Sequence, residues 1–122
     1  VLDWELSTVG DPLMDLGCTL GYWVETGDPD FFRQYRTMPS DVAGAPTRVE
    51  IIERFKERSG LSVDHFPFYF CFGLFRLAVI GQQIYYCYYK GLTKDKRFAA
   101  MITKTHILQQ MCELIMSGKI EH

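Results

Sequence analysis

Between Val63 and about Lys90 the chain reads FPFYFCFGLFRLAVIGQQIYYCYY at its centre, a segment with apolar or aromatic residues on every side. A run of this length serves either as a membrane span or as a central helix wrapped by other helices. Arg76 near its middle and the pair Gln82 and Gln83 argue against the span, because charged and amide groups in hydrocarbon are costly unless paired. The central helix is therefore the expectation. A guanidinium cannot shed its charge by losing a proton, so Arg76 is expected to be buried and bonded to a carboxylate or to several carbonyls. Such a group serves either as a structural ion pair or as a substrate contact.

The rest of the chain supplies helices to do the wrapping. Asp11 followed by Pro12 is a helix start: the carboxylate caps free N–H groups and proline fits the first helical position. Leu13, Leu16, Leu20, Trp23 and Val24 then follow helical spacing to about Glu25, with Gly27 as the stop. A short helix over Asp30 to Tyr35 precedes the loop TMPSDVAGAP, which is either a plain connector or a substrate-specific loop. Thr47 and Glu50 form a capping-box pattern ahead of Ile51, Ile52 and Phe55, Glu50 and Arg54 stand at i,i+4, and Gly60 closes the helix. A last helix, about Lys94 to Ser117, carries Phe98, Met101, Thr105, Leu108, Cys112 and Ile115 on one stripe before Gly118. Val1 to Glu5 is short and β-prone, which predicts an N-terminal strand. The fold class is mainly α.

With 122 residues, 48% of them hydrophobic, the chain can bury the core of one globular domain. Fifteen acidic against 13 basic residues give a formal net charge of -2, so neither nucleic acid nor a membrane surface is expected as a partner. Cys18, Cys71, Cys87 and Cys112 show no CxxC spacing and have apolar neighbours; reduced, buried thiols and a cytoplasmic location are expected. His65 and His106 lack metal-ligand spacing with other residues.

Asp3 is the candidate for chemistry. A carboxylate at the end of an apolar strand, just before a loop of small residues, suits two roles: ligand to a hard cation such as magnesium, or cap of a nearby turn. The wider string VLDWELSTVGDPLMDLG closely resembles the segment V-L/I-D-W-E-x-x-x-x-G-D-P-x-x-D-L of the aminoglycoside phosphotransferase and choline kinase-like superfamily. Asp3, Trp4, Glu5, Gly10, Asp11, Pro12, Asp15 and Leu16 match in register. The wording DWELST is similar to kinase-like domains associated with acyl-CoA dehydrogenases.

The resemblance implies that residues 1–122 form the C-terminal helical subdomain of a protein-kinase-like fold, without its N-terminal lobe, hinge or catalytic loop. It implies transfer of the terminal phosphate of ATP or GTP, as the magnesium nucleotide, to a hydroxyl of a small molecule. Asp3 then corresponds to the metal-binding aspartate that protein kinases carry in D-F-G, and Trp4 beside it packs. Glu5 either supports the metal site through a water or forms an ion pair. Asp15 is either a solvated acid favoured by a helix N-terminus or the acceptor of backbone N–H groups of the catalytic loop. The family's H-G-D-x-x-x-x-N loop, with its base aspartate, has no match here, and neither does a Gly-rich loop. This segment alone is therefore expected to be inactive. The alternative is a non-catalytic helical binding module, and a third reading is a membrane-associated helix hairpin.

Overall fold

The structure, a computed structural model, describes residues 2–119. Five α-helices follow in order: α1 Pro12–Leu20, α2 Asp30–Arg33, α3 Arg48–Ser59, α4 Phe66–Tyr89 and α5 Met101–Met116. Two short 3-10 turns, Trp4–Leu6 and Lys96–Ala100, precede α1 and α5. Mainly α is the class observed. The expected N-terminal strand is corrected: Val1 lies outside the described residues, and among those there is no strand. A strand needs a ladder partner, and a left-handed residue at Asp3 interrupts the extended run.

Each helix starts where its residues allow. The Asp11 carboxylate accepts the Leu13 N–H at 2.9 Å, with Pro12 in the first turn of α1. Thr47 and Glu50 exchange the two hydrogen bonds of a capping box, and Gly60 ends α3 in the left-handed region. Glu50 thus serves the cap; the expected pair with Arg54 is not formed among the described residues. α1 ends at Leu20, earlier than the spacing predicted. Trp23 and Val24 have left the helix but still pack, Val24 fully buried and the Trp23 indole N–H donating to Pro46 O at 2.8 Å.

α4 is the axis of the fold. At 24 residues it spans about 36 Å, and it packs against α1 on one side and α5 on the other. Phe66, Phe70, Leu74 and Leu77 form its buried face, meeting Leu13 and Leu20 of α1 and Leu108, Met111, Cys112 and Ile115 of α5 in one core. Two glycines set how close α1 and α4 come. A Cβ on Gly17 would stand 2.3 Å from the Tyr69 carbonyl oxygen, and one on Gly73 would stand 2.3 Å from that of Gly17. Backbone therefore lies directly on backbone at this crossing.

Two expectations about α4 are corrected. Its remaining face is not wrapped: Phe68, Phe75, Tyr86 and Tyr89 are more than half exposed, because the helices present cover only two sides. No helix among the described residues is long and apolar enough to cross a membrane. Arg76 is on this open face, not buried, and its Nη1 donates to the Cys18 sulfur at 3.3 Å instead of to a carboxylate. A long side chain on a partly covered helix can keep its charged head in water, so nothing forces an acidic partner on it.

The buried arginine is Arg48, at the first position of α3, only 1% exposed. Its guanidinium holds the Asp28 carboxylate with two hydrogen bonds, 2.6 and 2.8 Å, and donates to the Trp23 carbonyl at 2.7 Å. Glu25 stands 3.7 Å away, and the Phe70 ring of α4 lies beneath at 4.8 Å to its centroid. This cluster ties the segment after α1 and the start of α3 to the central helix. Of the cysteines, Cys112 is buried, Cys18 and Cys71 are half-buried, and Cys87, expected inside, is exposed.

Candidate functional site

Asp3 has φ 58° and ψ 46°, the left-handed region, and is the one non-glycine residue with positive φ among those described. For an L-residue this conformation costs about 1 kcal/mol or more, least for Asp and Asn. It opens the turn Trp4–Leu6, yet its carboxylate accepts no capping hydrogen bond there. Ser7 closes that turn instead, its N–H and hydroxyl both donating to the Trp4 carbonyl, at 3.0 and 2.7 Å. The turn-capping role is therefore filled without the Asp3 side chain, which is exposed. Trp4, expected to pack, is 69% exposed, and Glu5 lies beside it, exposed in the same turn.

The second half of the matched string is tied to the core. Besides capping α1, Asp11 accepts the Tyr69 hydroxyl of α4 at 2.8 Å, and this bond raises the Tyr69 pKa above its ordinary value. Helix cap, proline and the Gly17 crossing together fix α1 against the long helix. Asp15 sits in the first turn of α1, exposed. It contributes, after Cys18 and Tyr22, to the field that keeps Arg76 charged. Asp15 and Arg76 thus share the outer seam of α1 and α4. No hydrogen bond or ion pair among the described residues joins them to Asp3 or Glu5.

As a metal site, Asp3 offers one hard oxygen donor. Among the described residues no group of three or more His, Cys, Asp or Glu side chains converges to hold a metal ion. The donor type suits magnesium, which keeps several waters and phosphate oxygens around one or two carboxylates.

Two polar clusters escaped the sequence reading. One is Arg48 with Asp28 and Glu25. The other is Arg33 and Arg36 of the α2 region, both bonded to Asp41 in the loop, at 3.5 and 2.7 Å. The Arg36 hydrogen bond holds the Asp41 carboxyl below the usual carboxylate range. With Ser40 donating to Val24 O at 2.7 Å, Asp41 folds the loop back onto the segment after α1. Arg48 did leave one signal: a cation at the first position of a helix opposes the helix dipole, so something other than local preference must place it there.

Residues 1–51 match the model of the phosphotransferase enzyme family. The match takes in the D-W-E turn and the G-D-P helix start. Over most of its length the chain is also similar to acyl-CoA dehydrogenase family member 10 of Mus musculus, 33% identical over 116 residues, covering 93% of this chain and 10% of the relative. Acyl-CoA dehydrogenase family member 11 is similar too: 34% identical in Mus musculus and 32% in Homo sapiens, each over 95 residues, 75% of this chain and 12% of the relative. The chain thus spans about a tenth of the length of these relatives. No solved structure matches it.

Proposed function

We propose that this chain is the helical part of a kinase that transfers the terminal phosphate of ATP or GTP, with magnesium, to a hydroxyl of a small molecule. The observation that carries the reading is Asp3: a strained backbone and an uncapped carboxylate at the head of the segment that matches the phosphotransferase family. Strain of this kind persists where surrounding structure enforces it, and it clusters at functional sites. In this reading Asp3 holds the magnesium ion. When bound, that ion neutralises charge on the nucleotide phosphates. Asp11, through its two hydrogen bonds, holds the following segment in place, and Asp15 receives backbone N–H groups of a catalytic loop supplied by the parent chain. Glu5 either supports the metal through a water or forms an ion pair, and Arg76, bonded to the Cys18 sulfur on the α1–α4 seam, serves a structural pair or a substrate.

The base lies outside this sequence, so the 122 residues alone are inactive in this reading. A nearly balanced charge disfavours polycationic aminoglycosides as substrates, and the DWELST wording leans towards a hydroxylated acyl thioester or a similar metabolite in the cytoplasm. The second reading, a non-catalytic helical binding module, draws on the exposed aromatic side chains of α4. The parent sequence separates the two, since an H-G-D-x-x-x-x-N loop just upstream belongs only to the kinase.

The decisive experiment is Asp3→Asn in the parent protein, with nucleotide turnover followed by a coupled assay and the fold by circular dichroism. A neutral amide keeps the shape but weakens a hard-cation ligand, so kcat should fall by about a thousand-fold or more with the spectrum unchanged. Wild-type turnover in that variant refutes the assignment. Calorimetry on the 122-residue chain should register only very weak binding of magnesium nucleotide.

A further inference from the structure

Cys71 on α4 and Cys112 on α5 meet across the seam of the two helices. The Cys112 sulfur lies 3.6 Å from the Cys71 carbonyl oxygen and the Cys71 sulfur 4.0 Å from that of Cys112. The neighbouring Cys71 thiol adds to the upward shift that burial gives the Cys112 pKa. This reciprocal arrangement sets the thiols side by side. Beside them opens a cavity of about 370 Å³ between the helices, walled by Phe68, Phe72, Phe75 and Met116 and lined also by Cys71 and Cys112. Phe68, Phe75 and Met116 are largely exposed, so the mouth is open. Nothing in the phosphotransferase reading uses this pair.

We propose that Cys71 and Cys112 form a dithiol site that reduces an apolar organic hydroperoxide entering this groove and closes to a disulfide linking α4 to α5. Cys71, the more exposed of the two, reacts first. Its thiolate attacks the terminal oxygen of the hydroperoxide, the O–O bond breaks, and the alkoxide takes up a proton and leaves as the alcohol. Cys71 is left as a sulfenic acid. Cys112 is the resolving thiol: burial, and after it the neighbouring Cys71, push its pKa up to about 12, so it stays protonated until an electrophilic sulfur is presented. Its sulfur attacks that of Cys71, the S–O bond breaks, and hydroxide departs with the Cys112 proton as water. Two thiols and one hydroperoxide thus give one disulfide, one alcohol and one water. Aromatic walls favour a hydroperoxide with an apolar body over hydrogen peroxide, which gains nothing from them. The bond closes a loop of about 40 residues, and by limiting the unfolded chain it should raise the melting temperature.

The test is to treat the purified, reduced protein with cumene hydroperoxide or hydrogen peroxide at equal concentration, then to count thiols and map peptides by mass spectrometry. Expected are a loss of two of the four thiols, a mass lower by about 2 Da, and a Cys71–Cys112 cross-linked peptide, since each disulfide removes two hydrogens. Cumene hydroperoxide should act on the order of ten-fold faster than hydrogen peroxide. Cys112→Ser should leave a sulfenic acid on Cys71 that dimedone traps. A linkage through Cys18 or Cys87, or oxidation of exposed Cys87 while Cys71 and Cys112 remain thiols, overturns the site. Equal rates with the two peroxides overturn the role of the groove. Mapping of the wild-type protein decides the linkage even where a serine variant fails to fold.

Discussion

Arg48 shows what a buried charge requires. Two hydrogen bonds to Asp28, one to the Trp23 carbonyl and the face of Phe70 surround a side chain that water does not reach, leaving only its Nε without a partner. Exchanging such a pair for apolar residues is often harmless, but removing one member strands the other charge, at a cost of about 3–5 kcal/mol. Arg48→Ala should therefore lower the urea midpoint by that amount of stability. Arg48→Lys should restore less than half of it, because one ammonium cannot grip both Asp28 oxygens and the carbonyl in the same plane. A Lys variant as stable as wild type would mean the fork geometry is unimportant. The sequence pointed to the wrong arginine for a physical reason. Arg76 stands in the most apolar segment but on its uncovered side, whereas Arg48 stands in a polar helix, and its partners are 20 or more residues away in sequence. Which side of a helix is covered is a tertiary fact that composition cannot supply. The left-handed backbone of Asp3 was not legible, since Val1 to Glu5 has the residue types of a strand.

At the level of helices, local chemistry decided more. The Asp11–Pro12 start, the Thr47–Glu50 capping box and the stop at Gly60 were all readable, because each depends on groups within a few residues of one another. The early end of α1 was not, since Trp23 leaves the helix to offer its carbonyl to Arg48. Gly17 follows Asp15 and Leu16 in the matched string, and the structure gives it a reason: α1 and α4 touch through backbone there. Gly17→Ala and Gly73→Ala should each destabilise by about 1–3 kcal/mol or more, because the intruding Cβ meets backbone atoms that cannot swing aside. Gly27→Ala, with open space around it, is the control and should be nearly neutral. Thr47→Ala should cost about 1 kcal/mol through loss of the cap. Thermal melts of these four variants suffice, and equal melting points for Gly17→Ala and Gly27→Ala would contradict the close crossing.

For the molecule as a whole, titration joins these parts. On the acid side, Arg36 and Arg97 hold Asp41 and Asp95 below their ordinary value of 3.8. Folding favours the charged carboxylates, so their contribution is complete above pH 3.8 and is lost as pH falls through the lower folded values. Asp95 and its partner are solvent-facing, and exposed pairs of this kind contribute little, so the acid limb should be shallow. The alkaline limb differs in kind. Burial raises Cys112 from 9.0 to about 12 and Tyr35 from 10.0 to about 12, with Cys71 and Tyr22 adding to the respective shifts. The folded protein keeps both protons longer than the unfolded chain does, so this stability is complete below pH 9 and drains away between about pH 9 and 12. Melting temperature should accordingly be level from about pH 5 to 9 and fall steeply above that. Cys112→Ala, made in the reduced protein, should melt lower at neutral pH through lost packing, yet its decline should begin about one pH unit later, where the raised tyrosines Tyr35 and Tyr69 remain to titrate. A wild-type decline that starts below pH 8, or an onset that the Cys112→Ala variant does not move, would show that the buried thiol is not what limits the fold in alkali.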